Sequence, residues 1–454
     1  MRSFLLVALA VACAGKALGS EPGGPQAPAL RTPIVAVEPL EALARRAGLR
    51  VLESTHLVLA TDRPDREGDG VGELPRVFDE AFKAWCVHFG LKPADHAQWK
   101  CFGCLVVDRE RFRAAGLLPD TIPPFENGFC DRNQFWLIDQ SNPAYRRHLL
   151  LHEGVHAFTL TLRNLATPVW YNEGIAEFLA THTIEPGGKG EPTFVSTPIP
   201  ERPDDVEQLG RIEKIRELRA ARVVPSLEDV LAAPAGNHKS IADYATSWAA
   251  VAMLSFHPAY AKGFLELQRG PLGPDFNNRL AAMPGWDAHR AARDFDAFTA
   301  DIDYGYDFPR MAIDWSPGKP LTAQREVAVD AARGWQNAGN ALEAGKRYAF
   351  TAKGRVGLGV VEDAVNKKFI TLEGEPDGIS FEWYRGRPTG KLLLGQWHEK
   401  PAAGGRPRFD VLGAGASGEI VAAVDGPLFM RLNGPPTRLK QRDGTISVTV
   451  RPVP

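Results

Sequence analysis

His152 and His156 stand four residues apart in the stretch His152-Glu153-Gly154-Val155-His156. On a helix such residues share a face, so both imidazoles can reach one divalent cation. Glu153 lies beside that face, where its carboxylate can take a proton from water that the cation activates. This is the H-E-x-x-H arrangement of a zinc hydrolase. An open catalytic zinc site takes three protein ligands and leaves one position exchangeable. Glu173, in Asn172-Glu173-Gly174-Ile175-Ala176-Glu177, is the candidate third ligand. Glu177, one turn further on, would accept the second N–H of a ligating histidine and fix its tautomer. The chain reads first as a zinc-dependent peptidase.

Two buried helices are needed to bring those side chains together. Leu149, Leu150, Leu151, Val155, Phe158, Leu160 and Leu162 make the first run apolar almost all round, as in a core helix. Asn142-Pro143 supplies a start signal, and Thr167-Pro168 interrupts the chain after it. A second apolar stretch, residues 170–179, carries Glu173 and Glu177 on one face. A short break and a return helix would bring Glu173 back to the histidines. The flanking leucines argue against a solvated face. Burying two histidines and a glutamate without a partner is costly, which favours the metal reading.

Upstream, residues 56–61 alternate as a strand, 74–89 read as a helix, 104–107 as a strand and 129–138 as a hairpin. The signals from 207 to 270 are helical, with Asp204-Asp205 and Ser226 as caps, and 295–315 closes this domain. Near residue 320 the texture changes. Short apolar runs at 326–330, 347–352, 369–372, 392–394, 420–424, 428–432 and 446–450 alternate with Gly, Pro and Asp turns. Such spacing predicts an all-β sandwich. The expected fold class is α+β, a zinc-peptidase domain over 49–318 followed by a β-sandwich over 324–454.

His152–His156 with Trp170-Tyr171-Asn172-Glu173-Gly174-Ile175-Ala176-Glu177 resembles the gluzincin zinc metallopeptidases, in particular an MA-like secreted bacterial group. The resemblance spans about residues 50–310 and is densest from Phe125 to His182. It implies zinc held by His152, His156 and Glu173, Glu153 as general base, Glu177 as the carboxylate behind a ligand, and a peptide or protein as substrate. Gluzincins also use a Tyr or His at the oxyanion, which here falls on Tyr244 in Asp243-Tyr244-Ala245-Thr246-Ser247-Trp248. Pro124-Phe125-Glu126-Asn127-Gly128 echoes the substrate-binding strand of the related aminopeptidases, without that pattern's Gly and Met. By the same analogy, the upstream module would present an edge strand beside the zinc helix, where a peptide could lie extended. The alternative is a catalytically inactive, zinc-containing binding or adhesion protein of the cell envelope. The intact Glu153 stands against it, because a structural zinc needs no base and is usually closed by four protein ligands.

Residues 324–454 resemble PA-IL-type galactose-binding lectin domains through Trp335-Gln336-Asn337-Ala338-Gly339, Phe350-Thr351-Ala352-Lys353-Gly354, residues 388–395 and residues 426–433. The resemblance implies a cell-surface glycan as partner. Such lectins reach sugar through calcium, held by acidic and amide residues near the last hairpin. Here that segment carries Arg438, Lys440 and Arg442, with Asp443 as its one carboxylate, which opposes calcium binding. Trp383, Tyr384 and Trp397 could form a sugar-stacking platform, with core packing the competing use.

Residues 1–19 read as a secretory signal peptide, with Arg2, an apolar run from Phe4 to Ala14, and small residues at Ala17 and Gly19. A flexible leader is assigned to 20–48. A secreted or periplasmic protein is expected, with Ala10-Val11-Ala12-Cys13 as a weaker lipoprotein-like alternative. Cys86, Cys101, Cys104 and Cys130 then remain, and an even set in an oxidising compartment predicts two disulfides, with free thiols the next reading. A formal charge of −2 on 454 residues gives no reason to expect nucleic acid, and no transmembrane segment is expected.

Overall fold

The computed structural model describes residues 34–66, 68–186, 192–206, 210–234, 240–363, 367–401 and 405–454. The expected signal peptide and residues 20–33 of the expected leader lie outside the described residues. The chain forms two compact units. One takes residues up to Lys214, Glu228–Ser255 and Tyr260–Trp286, and the other takes Ile215–Leu227, Phe256–Ala259 and Asp287–Pro454.

The first unit is built on a five-stranded sheet. Its strands are β1 (Arg50–Glu53), β2 (Leu57–Thr61), β3 (Cys101–Val106), β4 (Gly128–Asp131) and β5 (Gln134–Ile138), in the order β1-β2-β3-β5-β4. β2, β3 and β5 are parallel, while β1 and β4 close the two edges antiparallel. Every residue of β2 and β3 is buried, because helices cover both faces. On one face Val58, Ala60, Phe102, Cys104, Phe129 and Trp136 pack with Ala44 of α1 (Glu38–Arg46) and Phe112 of α3 (Arg109–Ala114). The end of the expected leader is therefore folded, since α1 lays Leu40, Leu43 and Ala44 on this core.

α2 (Leu74–Phe89) and α4 (Pro143–Leu162) belong to the other face, where Phe78 stacks on Phe135 and Phe158 meets Phe82, Trp85 and Phe89. α4 can approach α2 this closely only because residue 154 is glycine. A Cβ there would stand 2.5 Å from the Phe78 ring and 2.8 Å from Trp85. The glycine inside the histidine motif is thus a packing requirement.

The expected disulfides do not form. Cys86, Cys101, Cys104 and Cys130 are all buried, and no disulfide joins them. Cys101 and Cys104 sit three apart on β3 and so point to opposite faces of the sheet, Cys86 lies on α2, and Cys130 on β4. Burial pushes the Cys86 thiol up to about 12. Even number and compartment said nothing of this geometry. A hairpin, His182–Pro186 with Pro192–Ser196, follows the second zinc-motif helix and was not expected.

Beside the two-stranded ladders Val356–Asp363 with Lys368–Gly374 and Ile379–Tyr384 with Arg387–Thr389, the second unit holds, among the described residues, two larger, mainly antiparallel sheets. One orders Arg408–Ala414, Leu392–His398, Gly426–Leu432 and Gln336–Leu342, with Lys319–Pro320 added parallel at its edge. The other orders Ser417–Val421, Arg347–Lys353, Thr445–Pro452 and Arg325–Asp330. Leu392, Leu394, Leu428 and Met430 of the first interleave with Tyr348, Phe350, Ile446 and Val448 of the second in one core, which makes the pair a sandwich. The alternate residues Leu393, Trp397 and Phe429 face outward and are covered by Ala297, Ile313 and Trp335. Trp397 is therefore core, Tyr384 donates to Asp303 Oδ2 at 2.7 Å, and only Trp383 of the expected aromatic platform is largely exposed. The guanidinium of Arg442 lies buried against Gly434 and donates to the carbonyls of Leu432 and Asn433. A cation thus already occupies the last hairpin. No helix among the described residues is long and apolar enough to cross a membrane.

Gly154→Ala is expected to lower stability by about 1–3 kcal/mol through overpacking against Phe78 and Trp85, seen as a lower urea midpoint. A variant with the wild-type midpoint would show that α4 does not need this close approach.

Candidate metal centre

α4 starts where Asn142 Oδ1 accepts the amide of Tyr145 at 2.9 Å and Pro143 occupies the first turn. The buried Arg146 ties that end down, donating to Asp139 Oδ1 at 2.6 Å and to the Asp69 carbonyl at 2.8 Å. Residues 148–159 of α4 are buried without interruption. α5 (Val169–Ala180) begins after Pro168 and is buried along most of its length. It packs so closely on helix Ile241–Phe256 that a Cβ on Gly174 would stand 2.5 Å from the Ser247 carbonyl oxygen. The two glycines, Gly154 and Gly174, let both motif helices sit deep enough to face each other.

Three ligand-type atoms converge between them. His152 Nε2 lies 3.1 Å from His156 Nε2 and 3.4 Å from Glu173 Oε2, and His156 Nε2 lies 3.3 Å from the same oxygen. A zinc tetrahedron with bonds of about 2.0–2.1 Å has edges of about 3.3–3.4 Å. The triangle has the size of one face of that tetrahedron. Its chemistry agrees. His156 Nδ1 faces Asn172 Oδ1 at 3.2 Å, and His152 Nδ1 faces Glu177 Oε1 at 3.2 Å. Protons placed on both Nδ1 atoms leave the two Nε2 lone pairs pointing at each other and at Glu173 Oε2, which is buried with no hydrogen-bond partner among the described residues. Only a cation or a proton reconciles three such acceptors. The residues fit zinc.

Glu177 stands behind His152 as the sequence suggested, but it does more than orient one ring. Arg211 grips it in a buried bidentate pair, Nε to Oε2 at 2.9 Å and Nη2 to Oε1 at 2.7 Å. His148 Nε2 lies 3.3 Å from Oε2, while its Nδ1 faces the Ala180 carbonyl at 3.2 Å. His148, His152 and Glu177 also converge. With a guanidinium on both carboxylate oxygens, that trio serves as support for the first three residues and not as a second metal site. Burial acts to raise the Glu177 carboxyl, yet Arg211 and His148 hold it well below the usual carboxylate range. Burial likewise opposes charge on His152, but contacts with Glu173 and Glu177 bring it up to about 10. Glu173 is held low by His156 and His152 against the same burial effect.

Glu153 is fully buried, and neither carboxylate oxygen has a hydrogen-bond partner among the described residues. Burial pushes it up to about 7. Its neighbour across the gap is Gly128 of the edge strand β4, where a Cβ would overlap Glu153 Oε1 and stand 2.9 Å from Cδ. Tyr244 is buried with its ring centroid 6.2 Å from that of His152, and the Arg211 guanidinium lies 5.9 Å from the Tyr244 ring. Tyr145 packs on Tyr244, and its buried hydroxyl has no hydrogen-bond partner among the described residues.

All six sequence-selected residues, His152, Glu153, His156, Glu173, Glu177 and Tyr244, come together in the first unit. The sequence reading missed His148, Arg211 and Tyr145, and quoted Gly128 only as part of residues 124–128 without its contact with Glu153. His148 was within reach, since His148, His152 and His156 repeat every four residues on one helix face. Arg211, 34 residues beyond Glu177, left no local signal.

No family model and no curated protein matches this chain. Among solved structures, the chain matches "EclA N-terminal domain; PllA-like lectin" at 20% identity, covering 29% of this chain and 98% of that one, with a TM-score of 0.20.

Arg211→Ala would leave Glu177 buried without its counter-charge, and is expected to cost about 3–5 kcal/mol of stability in urea titrations. Wild-type stability in that variant would contradict the role given to the pair.

Proposed function

We propose that this protein is a zinc-dependent peptidase, with His152, His156 and Glu173 as the metal ligands. The observation that carries the reading is the triangle of 3.1, 3.3 and 3.4 Å between their ligand atoms, set beside a buried carboxylate, Glu153, with no hydrogen-bond partner among the described residues. Zinc there would supply Lewis-acid activation of water and of the scissile carbonyl. Glu153 accepts the proton of the attacking water and delivers it to the leaving amine nitrogen, the two halves of general base and general acid work. Its lack of competing donors keeps it available for that exchange. Asn172 Oδ1 faces His156 Nδ1 and would fix its tautomer, Glu177 stands 3.2 Å from His152 Nδ1, and Arg211 holds Glu177 in turn.

The substrate class follows from β4. Among the described residues this strand pairs only with β5, which makes it the edge strand of its sheet, and Gly128 lets it approach Glu153. An extended peptide could add to the edge through backbone hydrogen bonds and present its carbonyl beside the carboxylate. Tyr244 is the candidate donor to the oxyanion, with Tyr145 packed against it. Export to the periplasm or beyond is part of the proposal, and rests on the N-terminal segment of the sequence.

Glu153→Gln is expected to retain bound zinc and to lose at least about a hundredfold in kcat on any peptide substrate found by a library screen. Cleavage at the wild-type rate would refute the base assignment. Gly128→Ala should likewise keep zinc but depress kcat, because the added methyl displaces Glu153. Unchanged kcat there would separate β4 from the catalytic carboxylate.

A further inference from the structure

The second unit contains a cavity of about 400 Å³ with seven arginines on its wall. Their charges are only partly offset. Arg219 and Arg406 share the single carboxylate of Asp296, and Arg385 and Arg431 share that of Asp301. Arg408 pairs with Asp410, which also faces His398. Arg387 is exposed at the rim and makes no ion pair among the described residues. Arg431 is 5% exposed, and its buried Nε has no hydrogen-bond partner among the described residues. A buried guanidinium N–H without an acceptor is costly, so an acceptor supplied from the cavity would be favoured. The crowding also shows in Arg219, which burial brings down to about 10 with Arg406 adding to the effect.

We propose that this cavity is a binding site for a small ligand of sugar size bearing a carboxylate, sulfate or phosphate group. Guanidinium forks match the paired oxygens of such groups, and several of them around one cavity select for charge as well as shape. The volume is larger than a bare oxyanion needs and lies at the lower end of the range for organic ligands. Asn433 donates all its amide protons to the carbonyls of Tyr384, Arg387 and Pro388, and so fixes the loop carrying Arg385 and Arg387 without competing for the ligand. The site lies wholly within the second unit and does not depend on the zinc chemistry of the first.

The test is calorimetric titration of the full chain at low salt with glucuronate, glucose 6-sulfate and glucose 6-phosphate, against neutral glucose and inorganic sulfate. At least one acidic sugar should saturate at one site per chain, weaken as sodium chloride is added, and outcompete both controls at least tenfold. The double variant Arg387→Gln/Arg408→Gln alters only partly exposed side chains. It should lose at least tenfold in affinity while its thermal midpoint stays put. No saturable binding by any acidic sugar would overturn the proposal. So would glucose or inorganic sulfate binding as tightly, or wild-type affinity in the double variant.

Discussion

Charge buried between two helices has to be balanced on the spot, and most of the first unit can be understood as the means of doing so. α4 and α5 place three histidines and three glutamates in a region from which water is excluded. Glu177 is balanced by protein alone, through the bidentate grip of Arg211. Glu173 has no guanidinium partner among the described residues, and its Oε2 faces the Nε2 atoms of His152 and His156. The protein alone completes one half of the cluster, and the proposed zinc would complete the other. That asymmetry is what the proposed metal site rests on.

The glycines make this burial possible. Gly154 lets α4 sink against Phe78 and Trp85, Gly174 lets α5 touch the backbone of helix Ile241–Phe256, and Gly128 lets β4 meet Glu153. Each stands where a methyl group would collide with a neighbour. Two of the three lie inside the motifs that carry the chemistry. The short motifs therefore encode packing together with the proposed ligands, so substitution of a motif glycine would act on the proposed metal site indirectly, through helix position.

What the sequence made legible divides along the range of the interaction. The α4–α5 pair and its triad are local patterns, with four-residue spacing on a helix and a proline break between the helices, and they were readable. Arg211 reaches Glu177 across 34 residues and Gly128 meets Glu153 across a tertiary gap, so neither left a trace in periodicity. Cysteine parity predicted disulfides, while the register of β3 turns Cys101 and Cys104 to opposite faces. In the sandwich, runs with clear apolar content such as 428–432 and 446–450 were found. The strand Gln336–Leu342, whose sequence is mostly polar and small, is held by its pairing with Gly426–Leu432 and was not.

The central claim is that His152, His156 and Glu173 form one zinc site, and metal analysis of the purified full chain beside Glu173→Ala tests it most directly. The account predicts about one zinc per wild-type chain and a sharp loss in the variant, with both chains folded. Folded wild-type protein that takes up no zinc when zinc is supplied, or a variant that holds it as tightly, would contradict the account.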